Sequence, residues 1–415
     1  MSTQTLFELT APPPDLDHVA LLERIRAAGA AARATVGGME VRLVVDDADA
    51  RTVLSDRRFV VDSANLPGER TAPTRAELLA GMGMRPELIA HVTEGLLDKD
   101  GIDHLRLRKL VTRTFTVRRV EALRPRIRAI AEGLLADLPG HAREGSVDLI
   151  DHFTYPLPIA VICELLGVPE EDRAPWRDWG HRITTFDLTR IDEVNGIIGE
   201  IVQGCRDVIA LHRAQEHDDL LGDLVRARDE DGDRLSEEEL VTMIITLVIA
   251  GHETTANLIA NGTHALLTHL EQLAMLRRDP ELMQPAVHEM LRWCGPVFQT
   301  RPRFALEDVE LNTTTIPAGT PVIAMAAGAN RDPAAHPDPE RFDITRHRGR
   351  PGEAHLAFGH GLHYCLGAAL ARAEGHEAFT ALLAAFPGLA LDPEHPAVRQ
   401  PNLAFVRFEQ LRVRL

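Results

Sequence analysis

Two short stretches hold side chains able to do chemistry. The first, "FGHGLHYCLG" at residues 358–367, carries Cys365 behind His360 and His363, with glycines at 359, 361 and 367. A thiol ionised to thiolate acts as a nucleophile, a redox centre or a metal ligand. A helical run from Leu366 onward would set the sulfur near a helix N-terminus, where the dipole and free N–H groups favour thiolate. Gly361 permits a positive φ, while Gly359 and Gly367 clear room for a flat group to approach closely. Three readings stand open on these residues alone: a nucleophile with His360 or His363 as base, a structural cysteine in a glycine loop, and a metal ligand. Zinc would need four donors, and His360, His363 and Cys365 are three, crowded within six residues.

The second stretch, "AGHETT" from Ala250 to Thr255, sets a carboxylate (Glu253) and a hydroxyl (Thr254) in an apolar run. Thr254 can turn its hydroxyl back to the carbonyl of Ala250, which bends helices, and Gly251 removes a side chain at the same place. The result is either a plain kink or a groove where an acid and an alcohol move protons for a small ligand. His252 is expected to face away from it. Glu289 and Arg292, three apart in "EMLR", are worth a few tenths of a kcal/mol as an exposed helix pair and much more if buried.

The elements that must position these groups are mostly helical. "SEEEL" is a capping box with Ser236 as N-cap and Glu239 three residues on. No proline follows until Pro280, which predicts a helix of about 30 residues, apolar all round in its middle and therefore buried. "HVALLERIRAAG", ending on Gly29, and "RVEALRPRIRAIAEGLLADLPG" also show helical spacing. Strand-like runs are few: "EVRLVV" at 40–45, the segment around Val309, "TIPAGTPVIA" with its Pro-Gly turn, and "VRFEQLRVRL" at the C-terminus. With no repeat or linker, the expectation is a single domain over 1–415, mainly α with small β-sheets, and an irregular segment over 1–20.

Hydrophobic residues make up 45% of the 415, enough for a large core, and the net charge of −17 argues against nucleic-acid binding. Cys163, Cys205, Cys294 and Cys365 lie far apart without a CxxC pair, which suits a reducing compartment. The N-terminal residues lack a signal-peptide pattern. "LVTMIITLVIAG", from Leu240, falls short of the roughly 20 apolar residues of a membrane helix. A cytoplasmic protein without a membrane anchor is expected.

Together the motifs resemble the cytochrome P-450 family. "FGHGLHYCLG" is similar to its haem-binding loop, "AGHETT" to its oxygen-binding helix motif, and "EMLR" to its Glu-x-x-Arg motif. "PERF", Pro339 to Phe342, matches the segment supplying the second arginine of the same ion-pair triad, Arg341 here. "HLRLR", His104 to Arg108, resembles the early His-x-x-x-Arg segment of bacterial members. The order and separations agree from about residue 40 to the C-terminus. The resemblance implies haem b held between the long oxygen-binding helix and the cysteine-loop helix, with Cys365 as proximal iron ligand. It also implies that Phe358, Gly367 and Ala250 pack on the haem and that His104, Arg108, Arg303 and His363 meet its propionates. Arg301 rivals Arg303 for that role. Glu253 and Thr254 would help deliver protons to dioxygen.

The implied function is a haem-thiolate monooxygenase that inserts one oxygen atom from O2 into an apolar small molecule. Soluble members often oxidise polyketides, macrolides, terpenoids or steroids, which points to secondary metabolism. Electrons would come from a separate ferredoxin and ferredoxin reductase, since the chain carries no flavin or iron–sulfur motif. Residues 104–128 hold nine Lys/Arg and one acid, Glu121, a candidate docking patch for an acidic ferredoxin. The substrate pocket is expected from residues 63–91, the helices around Trp176 to Ile198, Thr246 and Leu247, residues 296–300 and residues 402–405. Val297, Phe298, Leu403 and Phe405 would be its apolar wall, and Gln299 and Thr300 its polar groups. The competing readings are a non-catalytic haem-thiolate sensor or electron carrier, a peroxide-driven oxygenase and a thiol hydrolase using Cys365 and His363.

Overall fold

The structure is a computed structural model. It describes residues 6–9, 15–36, 38–68, 72–185, 190–227, 232, 234–350 and 352–415, without the side chains of 114, 181 and 183–185. Residues 69–71 and 186–189, within two of the expected pocket segments, therefore lie outside the described residues.

The capping box forms as its sequence requires. The Ser236 hydroxyl accepts from the Glu239 N–H (3.1 Å) and the Glu239 carboxylate accepts from the Ser236 N–H (2.9 Å). The helix they start runs over Glu237–Thr268, 32 residues, or about 48 Å at 1.5 Å per residue. Its composition would suit a membrane span, contrary to the expectation from "LVTMIITLVIAG", but 61% of its most apolar window is buried inside the fold. Here it serves as a central core helix.

Two further helices cross this one closely enough to exclude any side chain at Gly262. A Cβ there would lie 2.5 Å from Phe379 and 2.7 Å from the Met290 sulfur. Met290 belongs to helix Met283–Cys294 and Phe379 to helix Ala368–Ala385. The latter also packs along Val117–Asp137, where Arg124 and Arg128 donate to Glu377 (2.9 and 2.7 Å). The helix that follows the cysteine loop is thus fixed on two sides.

The sheets are small and lie at the edges. The largest has six strands in the order Leu6–Glu8, Ala32–Val36, Met39–Val44, Pro321–Ala324, Arg303–Ala305 and Phe59–Val60. Its inner face packs on a second apolar core that includes Val44, Val53, Phe59 and Val322. The strands flanking the Pro-Gly turn part company: Thr315–Ile316 pairs with Val309–Glu310, while Pro321–Ala324 enters the large sheet. The C-terminal strands Arg407–Gln410 and Arg412–Arg414 join two other small sheets.

The N-terminal segment is more regular than expected. Leu6–Glu8 pairs in parallel with Ala32–Val36, and Asp17 caps helix His18–Ala27 by accepting from Val19 and Ala20 (2.9 and 3.1 Å). Hydrophobic alternation over three residues is too short a signal to read as a strand.

Candidate functional site

Between the long helix and helix Ala368–Ala385 lies a mostly apolar cavity of about 340 Å³. Cys365 lines it from one side, Ala250 and Thr254 from the other, and His104, Arg108 and His363 from the edge.

Backbone geometry holds the cysteine loop open. The Cys365 N–H donates to the Phe358 carbonyl (3.0 Å) and the Tyr364 N–H to the Gly361 carbonyl (3.1 Å). Gly361 sits at φ 72°, and a Cβ there would lie 2.6 Å from the Leu54 carbonyl oxygen. Its missing side chain thus admits neighbouring backbone, whereas a Cβ on Gly359 would meet nothing within 4 Å. Glu353 ties the loop to the following helix, accepting from the Tyr364 hydroxyl (2.7 Å) and pairing with Arg372. The Arg372 guanidinium lies over the Phe358 ring.

The thiol lies further from the helix than its place in the sequence suggests. The helix begins only at Ala368, so the sulfur lies outside its first turn. Burial pushes the Cys365 thiol up, against the Gly367 N–H and the charges of Arg108 and Arg372. A bound cation would displace that proton, as metal binding to thiols generally does.

At the cavity edge His104, Arg108 and His363, with Arg303 beside them, form a cluster of polar nitrogens without partners. His104 is fully buried, and both its ring nitrogens lack a partner; so does the buried Nε2 of His363, whose ring lies 4.3 Å away. Arg108 and Arg303, the latter 8% exposed, form no ion pair among the described residues. Burial, with Arg108 nearby, lowers His104 to about 4; burial, with Arg303, His104 and Arg108, lowers His363 to about 3. Buried donors left unpaired are costly, so such a cluster calls for an anion. The two propionates of a haem supply four acceptor oxygens with the required charge, and these residues fit that group. Arg301, the rival, is engaged elsewhere, donating to Asp98 (2.7 Å) and to the Leu97 carbonyl (3.2 Å).

Opposite the sulfur, Thr254 donates to the Ala250 carbonyl at 2.7 Å, as the sequence predicted. Gly251 faces Ile162, to whose Cδ1 a Cβ would stand at 3.3 Å. Glu253 does not line the cavity and pairs with Arg407, both being largely buried. Burial raises its pKa and Arg407 opposes the rise. Adjacent residues point about 100° apart on a helix, and here Thr254 and Thr255 line the cavity while Glu253 turns to Arg407. His252 turns away, its Nε2 3.0 Å from the Tyr155 carbonyl oxygen.

The Glu289–Arg292 pair is fully buried and bidentate, at 2.8 Å for both contacts. The second arginine is not Arg341, which is exposed and offers only its backbone carbonyl to Arg292 (3.1 Å). Arg346 takes that place, 3.2 Å from Glu289, and His347 lies 3.3 Å from the same carboxylate. The Asp343 N–H also donates to Glu289 (3.0 Å), and the turn it begins carries Arg346 inward.

Thr246, Leu247 and Val297 line the cavity as expected, with Met243 and Pro296 beside them. Phe298 does not: it is fully buried in the core beneath the large sheet, against which Leu403 packs. Phe405 forms a bridge to Val297, and neither Gln299 nor Thr300 reaches the cavity. Trp176 and Trp179 line a different hollow with Gly204. Leu96 and Leu97, and Ile162 and Leu165 of helix Pro156–Leu165, were missed. Their apolar character is that of any core residue, so no sequence signal set them apart.

The basic run 104–128 is largely neutralised within the fold. Arg106 pairs with Glu239, Arg119 with Asp223, Arg124 with Glu121 and Glu377, Arg126 with Glu164, and Arg128 with Glu377. Arg108 turns to the cavity, while Lys109, Arg113 and Arg118 are exposed.

Known proteins share this arrangement. The family profile "Cytochrome P450" matches residues 184–407. The chain is 46% identical to the cytochrome P450 monooxygenase PikC of Streptomyces venezuelae over 400 residues, 92% of this chain and 90% of that one. It is 40% identical to 6-deoxyerythronolide B hydroxylase of Saccharopolyspora erythraea over 354 residues, 85% of each. The tirandamycin C-bound P450 monooxygenase TamI superposes with a TM-score of 0.82 at 38% identity, covering 97% of this chain and 100% of that one. With its mainly helical fold and its cysteine-walled cavity, this chain belongs to the cytochrome P450 family of haem-thiolate monooxygenases.

Proposed function

We propose that this monooxygenase hydroxylates an apolar polyketide or macrolide of secondary metabolism, as a single cytoplasmic haem domain. The cofactor is haem b, and the electrons come from a separate ferredoxin and its reductase. The observation that carries the reading is the cavity itself: apolar walls, a half-buried thiol on one side, a hydroxyl on the other and unpartnered polar nitrogens at one edge. Relatives named for 6-deoxyerythronolide B and mycinamicin IV support the substrate class.

Cys365 holds the iron through its thiolate, with Phe358 and Gly367 beside it. His104, Arg108, Arg303 and His363 hold the propionates by charge-assisted hydrogen bonds. The haem supplies the oxygen activation, its thiolate ligand favouring O–O cleavage. Thr254 holds a water or a proton at its Oγ on the face opposite the sulfur, and its bond to Ala250 sets the direction of that hydroxyl. Met243, Leu247 and Val297 exclude bulk water and orient the substrate by shape.

A titration of the purified ferric protein with macrolide, linear polyketide, terpenoid and steroid compounds, read at the haem Soret band, tests the substrate class. A low-spin to high-spin shift with polyketide-derived compounds is the expected result. A shift confined to steroids or terpenoids would overturn the assignment. Product formation with a ferredoxin, its reductase and NADPH tests the electron route.

A further inference from the structure

We infer that the corner between helices Ile191–Ala214 and Leu220–Arg226 is a divalent-cation site suited to zinc, with His212, His217 and Asp219 as its ligands. None of the three lines the haem cavity.

The argument starts from protons. The His212 side chain is fully buried, and its Nδ1 lies 2.8 Å from the Val208 carbonyl oxygen. A carbonyl only accepts, so Nδ1 carries the hydrogen, and in the neutral ring Nε2 then presents a lone pair. That lone pair faces both oxygens of Asp219, at 3.0 and 2.9 Å. Acceptor against acceptor is unfavourable, so either a second proton on the ring or a metal ion lies between them. An imidazole whose other nitrogen donates to a backbone carbonyl is also the usual state of a metal-bound histidine.

A second imidazole meets the same carboxylate. His217 stacks on His212 with ring centroids 4.2 Å apart, and its Nδ1 is 3.8 Å from Asp219 Oδ2. The candidate ligand atoms of all three residues lie within 4.8 Å of one another. Tetrahedral zinc with ligands at about 2.0–2.1 Å separates them by roughly 3.4 Å, which the observed 2.9 and 3.8 Å bracket. Two imidazoles and one carboxylate suit zinc better than calcium or magnesium, which take oxygen donors.

The surroundings keep the carboxylate in place. Asp219 Oδ1 also accepts the Gly222 N–H at 2.8 Å. On the far side, Gly167 (φ 63°) stands so close that a Cβ would lie 2.1 Å from Asp219 Oδ2 and 2.8 Å from His212 Nε2. His217 and Asp219 remain partly exposed, with side chains 25% and 16% accessible, leaving room for water as fourth ligand. His212 sits in the last turn of its helix, where the dipole favours a cation. The bound ion would fasten that helix to Leu220–Arg226, which rests on the Gly101–Thr114 helix carrying His104 and Arg108.

The test uses untagged, haem-loaded protein stripped with EDTA and then titrated with Zn2+ by equilibrium dialysis, with thermal unfolding followed in parallel. Wild type should take up a single tight equivalent and unfold at a higher temperature with zinc. His217→Gln and Asp219→Asn should each weaken uptake about tenfold or more, by analogy with second-shell losses, and lose the thermal shift while keeping the Soret spectrum. Asn still caps the following helix, so the second variant folds. His141→Gln, which breaks another stacked histidine pair with centroids 4.1 Å apart, should bind zinc normally. Absence of zinc uptake by wild type would leave a protonated His212–Asp219 pair and overturn the site. Undiminished uptake in His217→Gln would overturn it equally.

Discussion

Two buried, cation-rich clusters flank the haem cavity, and they differ in one respect. Around Glu289 every charge has a partner: Arg292 binds it twice, Arg346 and His347 approach it, and backbone carbonyls of Asn330, Pro339 and Arg341 take the remaining Arg292 donors. Around His104 the polar groups point at nothing: two ring nitrogens of His104 and one of His363 are orphaned, and Arg108 and Arg303 form no ion pair among the described residues. Each has a fully buried centre, Glu289 and Arg292 in one and His104 in the other, and the residue types overlap. Satisfaction differs, and it separates a cluster that holds the fold from one shaped for a ligand.

Breaking the closed cluster should have the largest effect. Glu289→Ala strands the buried arginines and should cost about 3–5 kcal/mol in stability, measured by denaturant unfolding of the apoprotein. Opening the second cluster should act on the ligand instead. Arg108→Leu should leave apoprotein stability unchanged or raised, because it removes a half-buried charge that forms no ion pair among the described residues. It should weaken haem retention roughly ten- to hundredfold, from about 1.5–3 kcal/mol for a hydrogen bond to a charged group. Equal loss of apoprotein stability in both variants would erase the distinction.

Acid sharpens the same contrast. Burial acts to raise the pKa of Glu289, but hydrogen bonds from Arg292 and His347 outweigh it and hold the carboxyl at about 2, below its usual 4.5. Because the folded value is depressed, the stabilisation is complete above about pH 4.5 and is lost as pH falls towards 2. An unfolding titration of wild type against Glu289→Gln should show that acid-dependent component only in wild type. The smallest structural effect is expected at Thr254. Thr254→Ala should keep the fold and the haem spectrum yet lower the product formed per NADPH consumed, with peroxide making up the difference; unchanged coupling would remove Thr254 from its role.

How much of this the sequence disclosed follows from the same contrast. Cys365, Thr254, His104 and Arg108 were legible because short, fixed spacings carried them. The long helix was legible from its capping box. Arg346 was missed in favour of Arg341 because the turn begun by Asp343 decides which arginine points inward, and a turn's direction depends on contacts far along the chain. The ion pair of Glu253 was not legible because its partner, Arg407, lies 154 residues away. The ion pairs of Arg106, Arg119 and Arg126 were hidden for a related reason: Glu239, Asp223 and Glu164 reach them only after folding.

The central claim is that the half-buried thiol and the open cationic cluster together hold a haem through Cys365. The most direct measurement is the carbon-monoxide difference spectrum of the reduced protein, wild type beside Cys365→Ala. Wild type should give the long-wavelength Soret band of thiolate-ligated haem, and the variant should lack it. A variant that keeps that band, or a wild type that never shows it after expression with ample haem, would contradict the account.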